Sequence, residues 1–233
     1  MIDGLLGGGL TRIGHKGAAA LAPENTLRSL EAALDAGVDV VEFDVISTLV
    51  LAHSPREIPQ DPATLDQALA LLRQHSVGVH VDVKTMGGER AIVDALRRHD
   101  VLDRALVSTT EAPSLRLFAQ LEPDLPRALS YPRDRYGVSR GRALAPVRAG
   151  GAAALRQMLP ARIGAMLARA QATIASLHHA VVSRAVVDRC HALGVPVIAW
   201  TVDTPALLAR IEAAGVDAVV SNDPRIFRAT LSP

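Results

Sequence analysis

Eight short apolar runs, spaced along the whole chain and separated by stretches of helical periodicity, set the strongest constraint on what this sequence can fold into. They fall at 10–17, 40–45, 77–84, 105–108, 127–129, 172–177, 195–202 and 217–221. Runs of this length rich in Val, Ile and Leu suit strands, and apolar residues at three- and four-residue spacing between them suit helices. The spacing predicts helices from Asn25 or Thr26 to Gly37, from Thr64 to Gln74, and over 89–98, 112–121, 183–193 and 204–214, with a final turn from Pro224. Strands that alternate with helices form parallel sheets, because parallel neighbours need a crossover connection. Eight such units close most simply into a (β/α)8 TIM barrel, an α/β fold of one domain spanning 1–233. An open doubly wound sheet is the alternative. Its dinucleotide fingerprint is missing, since Gly7-Gly8-Gly9 precedes the first strand rather than following it.

One segment breaks the rhythm. Residues 131–170 hold eight arginines, no lysine and a single acid, Asp134. Pro160 should divide its helical part into two short helices. The segment reads as a solvated face or long connection, or as a contact surface for an anionic substrate or lipid headgroups. The formal net charge of +1 gives no global reason to expect a nucleic-acid partner. A lone cysteine, Cys190, cannot form an internal disulfide and fits a reducing, cytoplasmic setting. The first residues lack the basic start of a signal peptide, and no apolar run reaches the ~20 residues that cross a bilayer, so a soluble protein is expected. Oligomeric state is not legible.

Chemistry concentrates at the ends of the strands. Val40-Val41-Glu42-Phe43-Asp44-Val45 carries two carboxylates at alternate positions, which a strand projects to one side. Paired carboxylates in an interior need a metal ion or a basic side chain, and otherwise belong to a strand end in water. Val77 to Lys84 alternates strictly, placing His80, Asp82 and Lys84 on one face, with His80 one layer deeper. His15 lies between glycines at a strand tip, and His53 follows the brief apolar run 49–52. Asn25 and Asp223 read as cap and turn residues, and His178-His179 as incidental to chemistry.

The order of these motifs resembles the glycerophosphodiester phosphodiesterase family. The resemblance runs through His15-Lys16-Gly17, Ala22-Pro23-Glu24-Asn25-Thr26, residues 37–45, His53, Val81-Asp82-Val83-Lys84, residues 197–203 and residues 215–224. Between about 105 and 170 only the strand and helix rhythm matches. It implies a (β/α)8 barrel whose active site lies at the C-terminal ends of the strands. Glu42, Asp44 and Asp82 would hold a divalent ion, magnesium or calcium. His15 and His53 would act as general acid and base, Lys16 and Lys84 would meet the phosphate, and Trp200 would line the pocket for the alcohol portion. The implied reaction converts a glycerophosphodiester to an alcohol and glycerol 3-phosphate, and a glycerol hydroxyl can be the internal nucleophile in the family. Related readings are a lysophospholipase D-like enzyme docked on lipid through 131–170, and a barrel that only binds phosphorylated ligands. This chain carries Lys16 where the family usually has Arg, Ser54 where it has Asp, Asp82 where it has Glu, and a shortened 44–53 segment.

Overall fold

A computed structural model describes residues 5–6, 8–133 and 145–229. Eight parallel strands form a closed barrel in sequential order. They are β1 (Thr11–Gly14), β2 (Val40–Val45), β3 (Gly78–Val83), β4 (Ala105–Thr109), β5 (Arg127–Tyr131), β6 (Ile174–His178), β7 (Val197–Trp200) and β8 (Ala218–Ser221). Seven helices return the chain along the outside: α1 (Leu27–Asp35), α2 (Leu65–Leu72), α3 (Glu89–Arg98), α4 (Ala112–Leu121), α5 (Ala145–Ala170), α6 (Arg184–His191) and α7 (Pro205–Ala213). Closure joins the two ends of the sequence, with Thr11 beside Ala218 and Gly14 beside Ser221.

Alternation along the strands sorts their side chains. Val41, Phe43 and Val45 of β2 and Val79, Val81 and Val83 of β3 pack outward into one apolar cluster with α1, α2 and α3. Inside, Val40, Leu106, Ala128, Ile174 and Ile198 form an apolar floor. Two residues further along each of those strands stand Glu42, Ser108, Ser130, Ser176 and Trp200, all lining one cavity. A dry floor beneath a polar layer follows directly from the two-residue strand period.

Four of the helix starts are set by short hydroxyl side chains. Thr26 accepts from the Ser29 amide and Thr64 from the Gln67 amide, each completing a capping box; Ser183 and Thr204 cap α6 and α7. The expected break at Pro160 does not occur, because α5 runs unbroken from Ala145 to Ala170. Leu159, Ile163 and Leu167 stay buried at four-residue spacing across the proline, so packing holds one axis through it. The carbonyl that Pro160 leaves without its helical donor belongs to Arg156, a residue on the exposed side of the helix. Much of the arginine-rich stretch before α5 lies outside the described residues.

Candidate active site

The mouth at the C-terminal ends of the strands holds a cavity of about 470 Å³. His15, Lys16, Glu42, His53, Asp82, Lys84 and Trp200 all line it, while Asp44 lies fully buried beneath. Every residue singled out from the sequence for chemistry therefore meets in one place.

Register brings the carboxylates together. Asp44 pairs with Asp82 and Glu42 with His80 across β2 and β3. One oxygen from each of Glu42, Asp44 and Asp82 lies within 4.8 Å of the others, a group that could hold a metal ion. All three donors are hard oxygens, which suits magnesium or calcium rather than a soft-ligand metal. Lys84 Nζ sits 2.8 Å from Asp44 Oδ1 and also contacts Asp82 Oδ2. Lys16 Nζ reaches Glu24 at 2.9 Å and Asp44 at 3.7 Å. With Glu24, four carboxylates thus face two ammonium groups, leaving negative charge in excess.

The protonation pattern reflects that excess. Burial pushes Glu42 well above the usual carboxylate range, and Asp44 and Asp82 push it further. Asp44, which burial alone would raise, is held well below that range by Lys84, by its hydrogen bond with His53 and by Lys16. Lys84 loses to burial but gains more from Asp44, Asp82 and Glu42, so it stays an ammonium. A divalent cation fits this donor set, since it would let Glu42 ionise.

His15 is reached from β1 through a turn that only glycine permits. Gly17 has φ +78°, and a Cβ there would lie 2.4 Å from the Ser29 backbone. In this turn the Lys16 amide donates to Glu42 Oε2 at 2.6 Å and the Gly17 amide to the Glu42 carbonyl at 2.8 Å. His15 Nδ1 lies 2.7 Å from Asn222 Oδ1. Asn222 in turn gives Nδ2 to Asp203 Oδ2 and its amide to Asp203 Oδ1, both at 2.8 Å. Because a carboxylate only accepts, the Asn222 amide can turn only its oxygen to His15, so His15 carries its proton on Nδ1 and presents Nε2. That Nε2 stands 4.0 Å from Glu42 Oε2. Burial lowers the His15 pKa, outweighing the opposing effects of Asp44 and Asn222.

His53 is anchored differently. Its Nδ1 lies 3.0 Å from Asp44 Oδ2, so Asp44, rather than the residue after His53, orients the ring. Asn25 corrects the sequence reading. Thr26 alone caps α1, while Asn25, at φ +58°, accepts from the Asp44 amide at 2.9 Å and donates to Asp44 Oδ2 at 3.1 Å. Asn222 and Asp203 were not singled out by their chemistry, and only their position beside the β8 and β7 tips could have marked them. Trp200 meets the His178 ring edge-on at 5.0 Å. His179 pins the loop beneath it, its amide donating to the Trp200 carbonyl at 2.6 Å and its Nδ1 to the Thr201 carbonyl at 2.9 Å. On the opposite wall Arg133 pairs with Glu111 at 2.5 Å.

Comparison with known proteins bears on the family and the fold. The family model described as "Glycerophosphoryl diester phosphodiesterase family" matches residues 15–56 and 76–226. The glycerophosphodiester phosphodiesterase of Caldanaerobacter subterraneus subsp. tengcongensis is 22% identical over 252 residues, covering 91% of this chain and 93% of that protein. Among solved structures, a glycerophosphodiester phosphodiesterase from Parabacteroides distasonis superposes with a TM-score of 0.75 at 19% identity, covering 95% of this chain and 96% of that one. A phosphodiesterase from Oleispira antarctica, solved in complex with the product sn-glycerol-3-phosphate, superposes at 0.72 with 20% identity over 95% and 96% of the two chains.

Proposed function

Since the chain belongs to the glycerophosphoryl diester phosphodiesterase family, we propose that it hydrolyses a glycerophosphodiester to an alcohol and glycerol 3-phosphate, with His15 and His53 exchanging the protons. The observation that carries this reading is that both rings are tied back through Nδ1, to Asn222 and to Asp44, on the rim of one carboxylate cluster. Each is left with Nε2 for a reacting oxygen.

His15 is the better base. Its proton is fixed on Nδ1, and burial keeps the ring neutral, so Nε2 can take the proton of the attacking hydroxyl, whether from water or from the glycerol itself. His53 then protonates the departing alkoxide. Lys84 and Lys16 place positive charge beside the phosphoryl oxygens, where charge grows during the reaction. Glu42, Asp44 and Asp82 would hold a magnesium or calcium ion, which when bound neutralises those oxygens further. Trp200 and the Glu111–Arg133 wall receive the alcohol side. Residues 1–233 act as one catalytic domain. No helix among the described residues is long and apolar enough to cross a membrane, and we place the enzyme in the cytoplasm.

Glycerol 3-phosphate release from glycerophosphocholine and glycerophosphoethanolamine tests the proposal, measured with magnesium, calcium or chelator. Metal-dependent release that falls by ~10²-fold or more in His15→Ala is expected. A folded protein that releases nothing with either ion sinks it. Turnover only of lysolipids, dependent on anionic vesicles, would move the assignment to a lysophospholipase D-like activity using the basic 131–170 segment.

A further inference from the structure

Along the wall of the cavity, a hydrogen-bonded chain leads from Asp82 through Ser108 to His80. Ser108 Oγ, 1% exposed, lies 2.7 Å from Asp82 Oδ1. His80 Nε2 lies 2.8 Å from the same Ser108 Oγ. A serine hydroxyl has one proton. An ionised Asp82 can only accept, so that proton is committed to Asp82 and His80 must donate to Ser108 through Nε2–H. The other ring nitrogen, Nδ1, is then a bare acceptor, and it is buried with no hydrogen-bond partner among the described residues.

A polar ring this deep is costly to keep. An aliphatic residue at position 80 would leave no orphaned nitrogen. Among the described residues, the one hydrogen bond of the His80 ring is to Ser108. Ser108, in turn, gives its proton to Asp82. Of the three clustered carboxylates, Asp82 is the one only half-enclosed, and it lacks the backbone or asparagine contacts that fix Glu42 and Asp44. Lys84 holds one of its oxygens, and without Ser108 the other would be free to rotate.

We infer that His80 and Ser108 are positioning residues that lock the Asp82 carboxylate in the orientation needed to complete a divalent-cation site. Ser108 holds the carboxylate plane, and His80 fixes the rotor of Ser108 so that its proton points only one way. Neighbours that orient metal ligands in this manner are worth roughly 10–100-fold in affinity. The inference rests on reading Glu42, Asp44 and Asp82 as the cation site.

Calorimetric titration of the metal-free protein with Mg²⁺ and with Ca²⁺, without substrate, tests it. Ser108→Ala should weaken binding by about tenfold or more, and Ser108→Thr, which keeps a hydroxyl, should restore most of it. His80→Leu should weaken binding less and add nothing on top of Ser108→Ala, because both act through one chain. In an Asp82→Asn background Ser108→Ala should have no further effect. Circular dichroism of each variant confirms that the barrel is intact. Unchanged affinity in Ser108→Ala, with Asp82→Asn impaired, overturns the relay. Unchanged affinity in Asp82→Asn overturns the ligand assignment on which it stands. Turnover does not enter these measurements, so a protein that binds metal in this Ser108-dependent way yet hydrolyses no diester would refute the phosphodiesterase reading alone.

Discussion

His15 and Asn222 stand 207 positions apart in the sequence and 2.7 Å apart in the fold, Nδ1 against Oδ1. With Asp203 behind it, Asn222 decides which nitrogen of His15 faces the cavity. Asn222→Ala should therefore lower kcat by about 10²-fold with little change in KM. Nitrogen chemical shifts of labelled His15 would check the cause: a mixed tautomer in the alanine variant, a single Nδ1–H form in the wild type. A single unchanged tautomer in both would disprove the orienting role.

Glu42 supplies a proton signature for metal binding. Burial and its acidic neighbours keep its pKa raised, so wherever metal-free Glu42 is protonated a bound cation must expel that proton. Affinity for Mg²⁺ or Ca²⁺ should rise with pH, by up to about tenfold per unit while Glu42 titrates. Titration calorimetry in buffers of differing ionisation enthalpy should show roughly one proton released per ion bound. Equal heats in all buffers would contradict this protonation state.

Lys84 neutralises Asp44 and Asp82 while no metal is bound. Removing it as Lys84→Met leaves charge uncompensated in a buried cluster, a change that typically costs about 3 kcal/mol or more. Denaturant melts in chelator should show that loss. Metal at 100 times its dissociation constant should return about 2.7 kcal/mol. A metal affinity that Lys84→Met leaves unchanged would mean the two cations do not share the site.

Acid should weaken the fold through His80. Its folded-state pKa is lowered by burial from the ordinary 6.5 to about 4. Between those values the unfolded chain binds the proton and the folded chain does not, so stability is lost as pH falls from 6.5 towards 4. His80 alone should remove about 1.5 kcal/mol between pH 6.5 and pH 5. Urea melts at both pH values, wild type against His80→Gln, would measure it. A variant with the same pH slope as wild type would place the acid sensitivity elsewhere.

The barrel was legible because its signal is local and repeated: two-residue alternation exposed the strands, three- and four-residue spacing the helices. The carboxylates were legible for the same reason, since Glu42 with Asp44, and Asp82 with Lys84, are read within one strand. What joins one strand to another was not. Asn25 resembles any cap before Thr26, and only its left-handed backbone turns its amide onto Asp44. Asn222 and Asp203 look like turn residues until closure sets β8 beside β1. The helix through Pro160 was misjudged because the intrinsic cost of proline is local, whereas the packing of Leu159, Ile163 and Leu167 that outweighs it is not.

Barrel closure also imposes an order in time. A chain emerging from the ribosome makes β1, with His15 at its tip, among its first elements, and β8 with Asn222 among its last. The carboxylates of β2 and β3 can assemble early, because those strands are neighbours in sequence as well as in space. The ring opposite them has no fixed proton until the final strand docks and seals the cylinder. On the reading proposed above, the acidic cluster needs only neighbouring strands while the base needs the two ends of the chain, so activity should wait on the last seam of the cylinder.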